Sequence, residues 1–374
     1  MRILIHTAFF HPSTGGIETF VDGLAGALVR RGESATVFAE TPLGSAVEPD
    51  RPYRVVRAGT VRRQDVVADC DVLLSKGPAT RMLPIAWRLG IPFVLVHSGP
   101  IATCPIGIGW RNSAACHYSF RKCLGCDVSN QSTLANVKAI ARLSVLRWGM
   151  KRAAATVYIS ELIANKVGSP GHIIGNFFDP AIFFTSRGVT PEPVFLIVGR
   201  LVPIKGFDVA IRGFALARRQ GLQFRLRVVG DGPERANLER LAAQEGVADT
   251  VEFLGSRRGS DLADRYRNAW ASLVPAQWEE PFGIVMVEAM ACGCPVIASD
   301  HGACPEVIAD AGVLVPAADP AKWAEAMLAL AGDQVRRARL SERGIARANA
   351  LFTLESVTNR YLEVLRGAVV KNKE

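Results

Sequence analysis

Two cations follow the apolar run VFLIV (194–198) in one short loop. Gly199 ends the run, Arg200 comes next, and Lys205 follows five residues later. Arginine can bind phosphate oxygens in a fork and lysine can add a point charge, so the pair suits a diphosphate. The alternative is a solvated basic loop that binds nothing.

Two carboxylates stand at the ends of EPFGIVMVE (280–288), which follows the apolar run ASLVPA. Pro281 and Gly283 predict a loop that enters a helix, with Glu280 at its mouth and Glu288 further inside. A carboxylate can accept two sugar hydroxyls, so the pair could hold both sugars of one nucleotide-sugar. Glu288 lies among apolar residues, where an unpaired charge is costly, and this favours a ligand or an ion pair.

Two features of the first half could also bind ligands. Gly15-Gly16-Ile17-Glu18 stands between an apolar run and a helix pattern, where backbone amides can approach an anion; a plain tight turn is the alternative. Four cysteines, Cys104, Cys116, Cys123 and Cys126, fall within 23 residues, and the last two form a CxxC pair. A structural zinc site, free thiols and disulfides all remain open for them.

Short apolar runs alternate with helix patterns along the chain, which is typical of parallel sheets covered by helices. The runs are RILIH, DVLLS, PFVLVH and TVYIS in the first half and VFLIVGR, FRLRVVG, VEFLG, ASLVPA and CPVIASD in the second. Two such series predict an α/β protein with two Rossmann-like, doubly wound domains. The length of 374 residues, with 49% apolar and 21% charged, fits two globular domains and argues against a disordered chain.

A stretch rich in proline and turn residues follows Asn176, and it predicts the domain boundary near residues 180–193. We expect a first domain over residues 1–185 and a second over 190–353. Ligands of open α/β sheets bind outside the carboxyl ends of the strands. The two domains are therefore expected to face each other across a ligand-binding cleft.

The order and spacing of these motifs resemble the retaining, nucleotide-sugar-dependent glycosyltransferases of family 4, which have the GT-B fold. The resemblance covers nearly the whole chain and rests on GGIE, VGRLVPIKGFD, VVGDGPE, VEFLG, EPFGIVMVEAMACGCPVIASD, GACPEVI and GVLVP. It implies that the first domain binds the acceptor and the second binds the donor. It also implies that a C-terminal helix within residues 354–374 returns to the first domain.

The resemblance implies roles for five residues. Arg200 and Lys205 would bind the donor diphosphate and stabilise the leaving group. Glu288 would bind the ribose hydroxyls, and Glu280 the hydroxyls of the transferred sugar near the reacting carbon. His97, at the end of PFVLVH, would stand at the sugar-side rim; the alternative is a histidine that merely closes a strand. Further positions implied in donor binding are Gly15, Gly16, Gly230, Asp231, Leu254, Phe282, Gly283 and Ile284.

The resemblance further implies transfer with retention, in which the donor phosphate takes the acceptor's proton. Glu280 as a covalent nucleophile is the alternative. No cofactor is expected, since basic side chains and helix amides neutralise the diphosphate, and the donor would be a UDP-, GDP- or ADP-sugar. The D-x-D motif at 69–71 opens a strand and predicts a cap rather than a metal site.

The entire net charge of +9 lies in residues 1–190, which indicates an anionic partner. Within it, residues 130–153 predict a helix with five basic residues, no acidic residue, and Trp148 near its end. Such a helix can lie on an anionic membrane, and a core-packing helix with one solvated face is the alternative. A glycan or lipid-linked acceptor and a cytoplasmic location, peripheral at the inner membrane face, are therefore expected.

Three other functions are weighed. A GT-B nucleotide-sugar epimerase would need no acceptor surface, which the basic, cysteine-rich first half argues against. The sequence pI near 9.3 suggests a nucleic-acid-binding protein, but no basic motif with interleaved aromatic residues supports one. A dinucleotide-dependent oxidoreductase is disfavoured because no G-x-G-x-x-G follows the first strand.

Overall fold

The structure is a computed structural model that describes residues 1–13, 15–77, 79–104, 110–111, 114–116, 119–126, 132–186 and 191–372. The chain forms two units, one of Met1–Asn176 with Leu354–Glu374 and one of Phe177–Thr353. The second unit thus begins ahead of the predicted boundary, whose residues 187–190 lie outside the described residues. It begins there because the Phe178 amide donates to the Phe352 carbonyl oxygen (2.9 Å) and Phe183 packs on Tyr266.

The first unit is built on a seven-stranded parallel sheet. Its strands are β1 (Arg2–Thr7), β2 (Ser34–Ala39), β3 (Arg54–Arg57), β4 (Val72–Lys76) and β5 (Phe93–His97), then β8 (Ala155–Tyr158) and β9 (His172–Ile173). Two short strands, β6 (Trp110–Arg111) and β7 (Ala114–Ala115), form a separate antiparallel pair. The sheet order is β3-β2-β1-β4-β5-β8-β9, so the direction of the winding reverses between β1 and β4.

Helices cover this sheet. They are α1 (Gly16–Arg30), α2 (Arg63–Ala68), α3 (Leu83–Arg88), α4 (Phe120–Leu124), α5 (Thr133–Met150) and α6 (Glu161–Val167), and the C-terminal helix α14 (Leu354–Lys371). Helix α1 buries Phe20, Val21, Leu24 and Leu28, which recur every three or four residues along one face. Phe20 meets Tyr361 of α14 edge to face, with ring centroids 5.7 Å apart. The C-terminal helix therefore completes the core of the first unit.

The second unit has a six-stranded parallel sheet of β10 (Val194–Val198), β11 (Arg225–Val229), β12 (Val251–Gly255), β13 (Ala271–Val274), β14 (Val296–Ser299) and β15 (Gly312–Val315). Its helices are α7 (Phe207–Arg219), α8 (Arg235–Gln244), α9 (Gly259–Asn268), α10 (Ile284–Ala291), α11 (Cys304–Ile308), α12 (Pro320–Ala331) and α13 (Gln334–Leu351). The strand order is β12-β11-β10-β13-β14-β15, with the reversal between β10 and β13. Phe195, Phe214 and Trp323 are among the fully buried side chains of its core.

The predicted α/β class with two parallel sheets is confirmed. Both sheets consist of short, mostly buried apolar strands because helices pack on both faces. Among the residues that the structure describes, no helix is long and apolar enough to cross a bilayer.

Candidate active site

The loops that follow β10 and β13 lie at the winding reversal of the second sheet, where open α/β sheets bind their ligands. The backbone N–H of Gln277 in one loop donates to the Ile204 carbonyl oxygen in the other (2.8 Å). Gly206 has φ +69, and a β-carbon built on it would lie 1.9 Å from the Pro275 carbonyl oxygen. Only glycine allows this approach, which fixes the two loops against each other.

That approach brings a cation and a carboxylate together. The Lys205 ammonium donates to the Glu280 carboxylate, and the Trp278 indole N–H donates to the same oxygen (3.2 Å). The Lys205 nitrogen also lies 5.4 Å from the Trp278 ring centroid, within the range of a cation–π contact. Glu280 is 7% exposed, so its charge depends on these partners. Two of the sequence-predicted site residues, 75 positions apart, thus share one ion pair.

A second pair of loops holds Arg200 next to the end of β11. The Leu201 amide donates to the Asp231 carbonyl oxygen (3.0 Å), and a β-carbon on Gly230 would lie 1.8 Å from the Gly199 carbonyl oxygen. Arg200 itself is exposed and has no ion pair within the described ranges. Its guanidinium is therefore available to an anion at the carboxyl ends of β10 and β11.

The N-terminus of α10 adds backbone donors beside Glu280. The helix begins after Gly283, and a β-carbon there would lie 3.3 Å from Glu280 Cγ. Phe282 is 3% exposed and its ring packs edge to face on Phe352. The structure therefore leaves only the backbone of Phe282 to a ligand, whereas Ile284 is half-buried.

Glu288 lies one turn further along α10 and is half-buried. Burial raises the pKa of its carboxyl to about 8, and the nearby Tyr266 hydroxyl offsets part of that rise. No ion pair with Glu288 is found among the described residues, and its role in ligand binding stays a prediction. Leu254 on β12 is half-buried as well.

His97 ends β5 in the first unit and is fully buried. Its ring stacks on Tyr158, with centroids 5.3 Å apart. Burial lowers the pKa of His97 to about 4, so the imidazole stays neutral near pH 7. Neither ring nitrogen has a hydrogen-bond partner in the described part of the chain. Such unpaired buried nitrogens are rare in a purely structural histidine, and they fit a residue that binds a ligand.

The glycines at the start of α1 have open surroundings. Gly15 is the N-cap with an extended backbone, and a β-carbon there would meet only the flexible end of Glu18, at 2.8 Å from Oε2. A β-carbon on Gly16 would have nothing within 4 Å. The space beside these two residues is therefore free for a ligand.

The second unit matches a family model. Residues 179–347 match the model described as "Glycosyl transferases group 1". The match covers just under half of the chain, and it shows that the second unit is similar to the group 1 glycosyl transferases. The matched range contains Arg200, Lys205, Glu280 and Glu288.

Relatives of known activity differ in how much of this chain they match. The D-inositol 3-phosphate glycosyltransferase of Nocardia farcinica is 38% identical over 181 residues, 46% of this chain and 40% of the relative. The chain thus spans about two fifths of the length of such relatives. The GDP-mannose-dependent alpha-(1-6)-phosphatidylinositol monomannoside mannosyltransferase of Mycolicibacterium smegmatis is 27% identical over 372 residues, 91% of this chain and 92% of the relative.

Solved structures share the fold over nearly the full length of this chain. The sucrose-phosphate synthase of Thermosynechococcus elongatus has a TM-score of 0.74 at 22% identity and covers 99% of both chains. HepE of Anabaena in complex with UDP has a TM-score of 0.74 at 20% identity, over 98% of this chain and 100% of that one. The predicted GT-B fold is confirmed.

The four clustered cysteines lie in and around a part of the first unit that the structure describes only in pieces. No group of three or more His, Cys, Asp or Glu side chains that could hold a metal ion occurs within the described ranges, which include all four thiols. Cys104 is buried after β5, whereas Cys123 and Cys126 lie half-buried on and after α4. The structural zinc site on Cys104, Cys116, Cys123 and Cys126 therefore stays a prediction.

Three residues near these sites were not predicted from the sequence. Trp278 contacts both members of the Lys205–Glu280 pair, and Tyr266 lies near Glu288. Lys76 ends β4 in the first unit and is 3% exposed. Its signal was a lysine at the end of the apolar run DVLLS, where a charged residue is uncommon.

We expect Glu288→Gln to stabilise the ligand-free protein increasingly as pH rises. A carboxyl whose folded pKa is near 8, above its ordinary value of 4.5, holds its proton more tightly in the folded state. Its contribution to stability is therefore lost as pH rises through this window. Because the side chain is only half-buried, the stability gap between variant and wild type should reach about 1–3 kcal/mol by pH 8.

Thermal unfolding between pH 5 and pH 8 measures this gap. A gap that stays constant across the range would contradict the raised pKa. The same variant, heated with saturating nucleoside diphosphate, serves as the control for function: it should gain less stability from the nucleotide than the wild type does.

Proposed function

We propose that this chain is a retaining glycosyltransferase of family 4 that transfers a sugar from a nucleotide-sugar to a glycan or lipid-linked acceptor. We place it in the synthesis of a cell-surface polysaccharide, at the cytoplasmic face of the membrane. The observation that carries the proposal is the Lys205–Glu280 pair at the reversal of the second sheet. It combines a phosphate-binding cation and a sugar-binding carboxylate in one place.

In this mechanism the donor replaces the resting ion pair. The diphosphate takes the Lys205 ammonium and the exposed Arg200 guanidinium, while the amides at the start of α10 add donors. Glu280 is then free to accept hydroxyls of the transferred sugar, and Glu288 accepts the ribose hydroxyls. These cations neutralise the leaving diphosphate, so no catalytic metal is expected.

The transfer step follows from this placement. The bond from the anomeric carbon to the diphosphate oxygen breaks as the acceptor oxygen forms its bond to the same face of that carbon. The acceptor's hydroxyl proton passes to the departing phosphate oxygen, so the product retains the donor's configuration. We assign to the neutral His97 a hydrogen bond to the transferred sugar, for which its unpaired ring nitrogens are suited.

The names of the relatives support an acceptor that carries a phosphate. One is named for inositol 3-phosphate and another for a phosphatidylinositol mannoside with GDP-mannose as donor. The basic first half of this chain fits such an anionic acceptor.

A panel of UDP-, GDP- and ADP-sugars tests the proposal. We expect slow release of nucleoside diphosphate from one nucleotide class in the absence of acceptor. Proton NMR should show that the free sugar first appears in the donor's anomeric configuration. Release of an epimerised sugar would favour the epimerase function instead, and no release from any donor would contradict the proposal.

We further propose that the outer face of α5 binds an anionic membrane. Leu134 and Val137 form an exposed apolar stripe on this helix, and they are 64% and 45% exposed. The helix packs on the unit through another set: Asn136, Ala139, Ile140, Leu143 and Leu146. Helix α5 is therefore a core-packing helix with one exposed face, which is the alternative weighed from the sequence, and that exposed face also carries apolar residues. Lys138 and Arg142 flank the exposed stripe.

Trp148 is not an aromatic residue that this helix exposes to a membrane. Trp148 is half-buried against Trp87, with ring centroids 5.6 Å apart, and the Arg152 guanidinium lies 4.7 Å from its ring centroid. Trp87 is 56% exposed instead. Arg147 donates to the Ala102 carbonyl oxygen (3.1 Å) and so serves the fold. The cations left for lipid on α5 and just after it are Lys138, Arg142 and Lys151.

Replacing Lys138, Arg142 and Lys151 by Gln should weaken binding to vesicles of phosphatidylglycerol and phosphatidylcholine by roughly a hundredfold at low salt. Each cation near an anionic surface contributes about 1 kcal/mol. A matched variant that replaces the exposed Arg30, Arg54 and Arg62 by Gln removes the same charge from other elements of the first unit. Equal loss of binding in both variants, measured by sedimentation, would rule out α5 as the binding surface.

A further inference from the structure

The winding of the first sheet also reverses once, and a lysine stands at that point. Lys76 is the last residue of β4, and its register partner on the neighbouring strand is Thr7, the last residue of β1. The reversal between β1 and β4 is where an open α/β sheet receives a ligand. The first turn of α1, beginning at Gly16, directly follows the loop after β1.

Lys76 is a buried cation without an anion. The residue is 3% exposed, and its Nζ has no hydrogen-bond partner or ion pair among the described residues. The Nζ lies 3.7 Å from the ring centroid of Phe20 on α1, which gives a cation–π contact but no counter-charge. Burial lowers the pKa of Lys76 to about 7, because no anion offsets the desolvation of its ammonium. An ordinary structural lysine would reach water with its charged end.

Other buried polar atoms near the carboxyl ends of the neighbouring strands also have no hydrogen-bond partner. His6 Nδ1, both nitrogens of His97 and Ser98 Oγ are buried and without hydrogen-bond partners in the part of the chain that the structure describes. They belong to β1, to β5 and to the residue after β5, the strands on either side of β4. Lys76 is in register with Thr7 and Val96, so the imidazoles of the adjacent His6 and His97 lie on the opposite face of the sheet. On its own face the unpaired ammonium of Lys76 is the group that indicates a ligand.

We propose that Lys76 binds the phosphate group of the acceptor. This rests on the proposed function, in which the first unit receives the acceptor. The phosphate supplies the negative charge that the buried ammonium lacks, and neighbouring neutral donors complete its hydrogen bonds. A phosphomonoester of a soluble acceptor and the phosphodiester of a lipid headgroup offer the same chemistry.

Calorimetry with three probes tests this assignment. The probes are myo-inositol 1-phosphate for the soluble source, dihexanoyl phosphatidylinositol for the lipid source, and myo-inositol as the neutral reference. The full chain carries Arg200→Ala and Lys205→Ala throughout, so that the donor diphosphate site does not take the phosphate. We expect at least one phosphate probe to bind and Lys76→Met to weaken it tenfold or more, as loss of a charge-assisted contact does.

The controls separate binding from folding. Lys371→Met removes an exposed lysine of the same unit and should leave the affinity unchanged. Lys76→Met should melt no lower than its parent, because it replaces an unpaired buried charge by an apolar chain of similar length. Lys76→Gln, which also removes the charge, is the second variant. Which phosphate probe binds tells the soluble source from the lipid source.

Three results would overturn the proposal: no binding of either phosphate probe, unchanged binding in Lys76→Met, or equal weakening of myo-inositol. Nucleotide-sugar cleavage by the wild type is scored separately. If cleavage fails while Lys76 still binds phosphate, the proposed function is at fault and the anion site stands.

Discussion

Lys205→Ala is expected to lower kcat/KM for the nucleotide-sugar by about tenfold to a hundredfold, and Arg200→Ala by at least about tenfold. A charge-assisted contact to phosphate is worth roughly 1.5–3 kcal/mol, and its loss in the transition state appears as a loss of rate. Lys205→Ala should have the larger effect. It also leaves the buried carboxylate of Glu280 without its cation, because the two side chains form one ion pair.

A surface lysine of the same unit provides the matched control. Lys322 is exposed and pairs with Glu325 three residues along α12, far from the loops after β10 and β13 in sequence. Lys322→Ala should keep wild-type rates and a wild-type melting profile. Wild-type rates in both Arg200→Ala and Lys205→Ala would show that these cations do not bind the diphosphate.

Gly206→Ala is expected to destabilise the second unit by roughly 3–5 kcal/mol. The residue has φ +69, and the new β-carbon would lie 1.9 Å from the Pro275 carbonyl oxygen. The left-handed backbone costs an alanine about 1–2 kcal/mol, and the clash adds the rest because a main-chain oxygen cannot move aside cheaply. For a unit of this size the melting temperature should fall by roughly 6–15 °C.

Gly246 separates the two contributions. It has nearly the same backbone angle, φ +73, but a β-carbon there would have nothing within 4 Å. Gly246→Ala should therefore cost only the backbone strain, about 1–2 kcal/mol. Equal losses in the two variants, measured by thermal unfolding, would show that the close approach to Pro275 does not hold the two loops together.

The strands were predictable because each is a compact apolar run. VFLIV coincides with β10 (Val194–Val198), and RILIH lies within β1 (Arg2–Thr7). In these buried parallel strands almost every residue is apolar, so the run itself marks the strand. The loops after the strands were predictable from their glycines. Gly199 follows the end of a strand, and Gly283 precedes the start of a helix.

Tertiary contacts could not be predicted from local patterns. Lys205 and Glu280 are 75 residues apart, and only the stacking of two loops at the sheet reversal joins them. The orientation of α5 escaped as well, because both of its faces carry apolar residues and periodicity alone cannot choose between them. The zinc site that the cysteine spacing suggests is not found among the described residues and stays a prediction.

The structure of the full chain with a bound nucleoside diphosphate tests the donor site most directly. We expect the nucleotide at the reversal between β10 and β13, with the diphosphate on Arg200 and Lys205 and the ribose hydroxyls on Glu288. The Lys205–Glu280 ion pair should have opened, which would free Glu280 for the sugar. A nucleotide bound elsewhere, or bound with its ribose away from Glu288, would contradict the assignment.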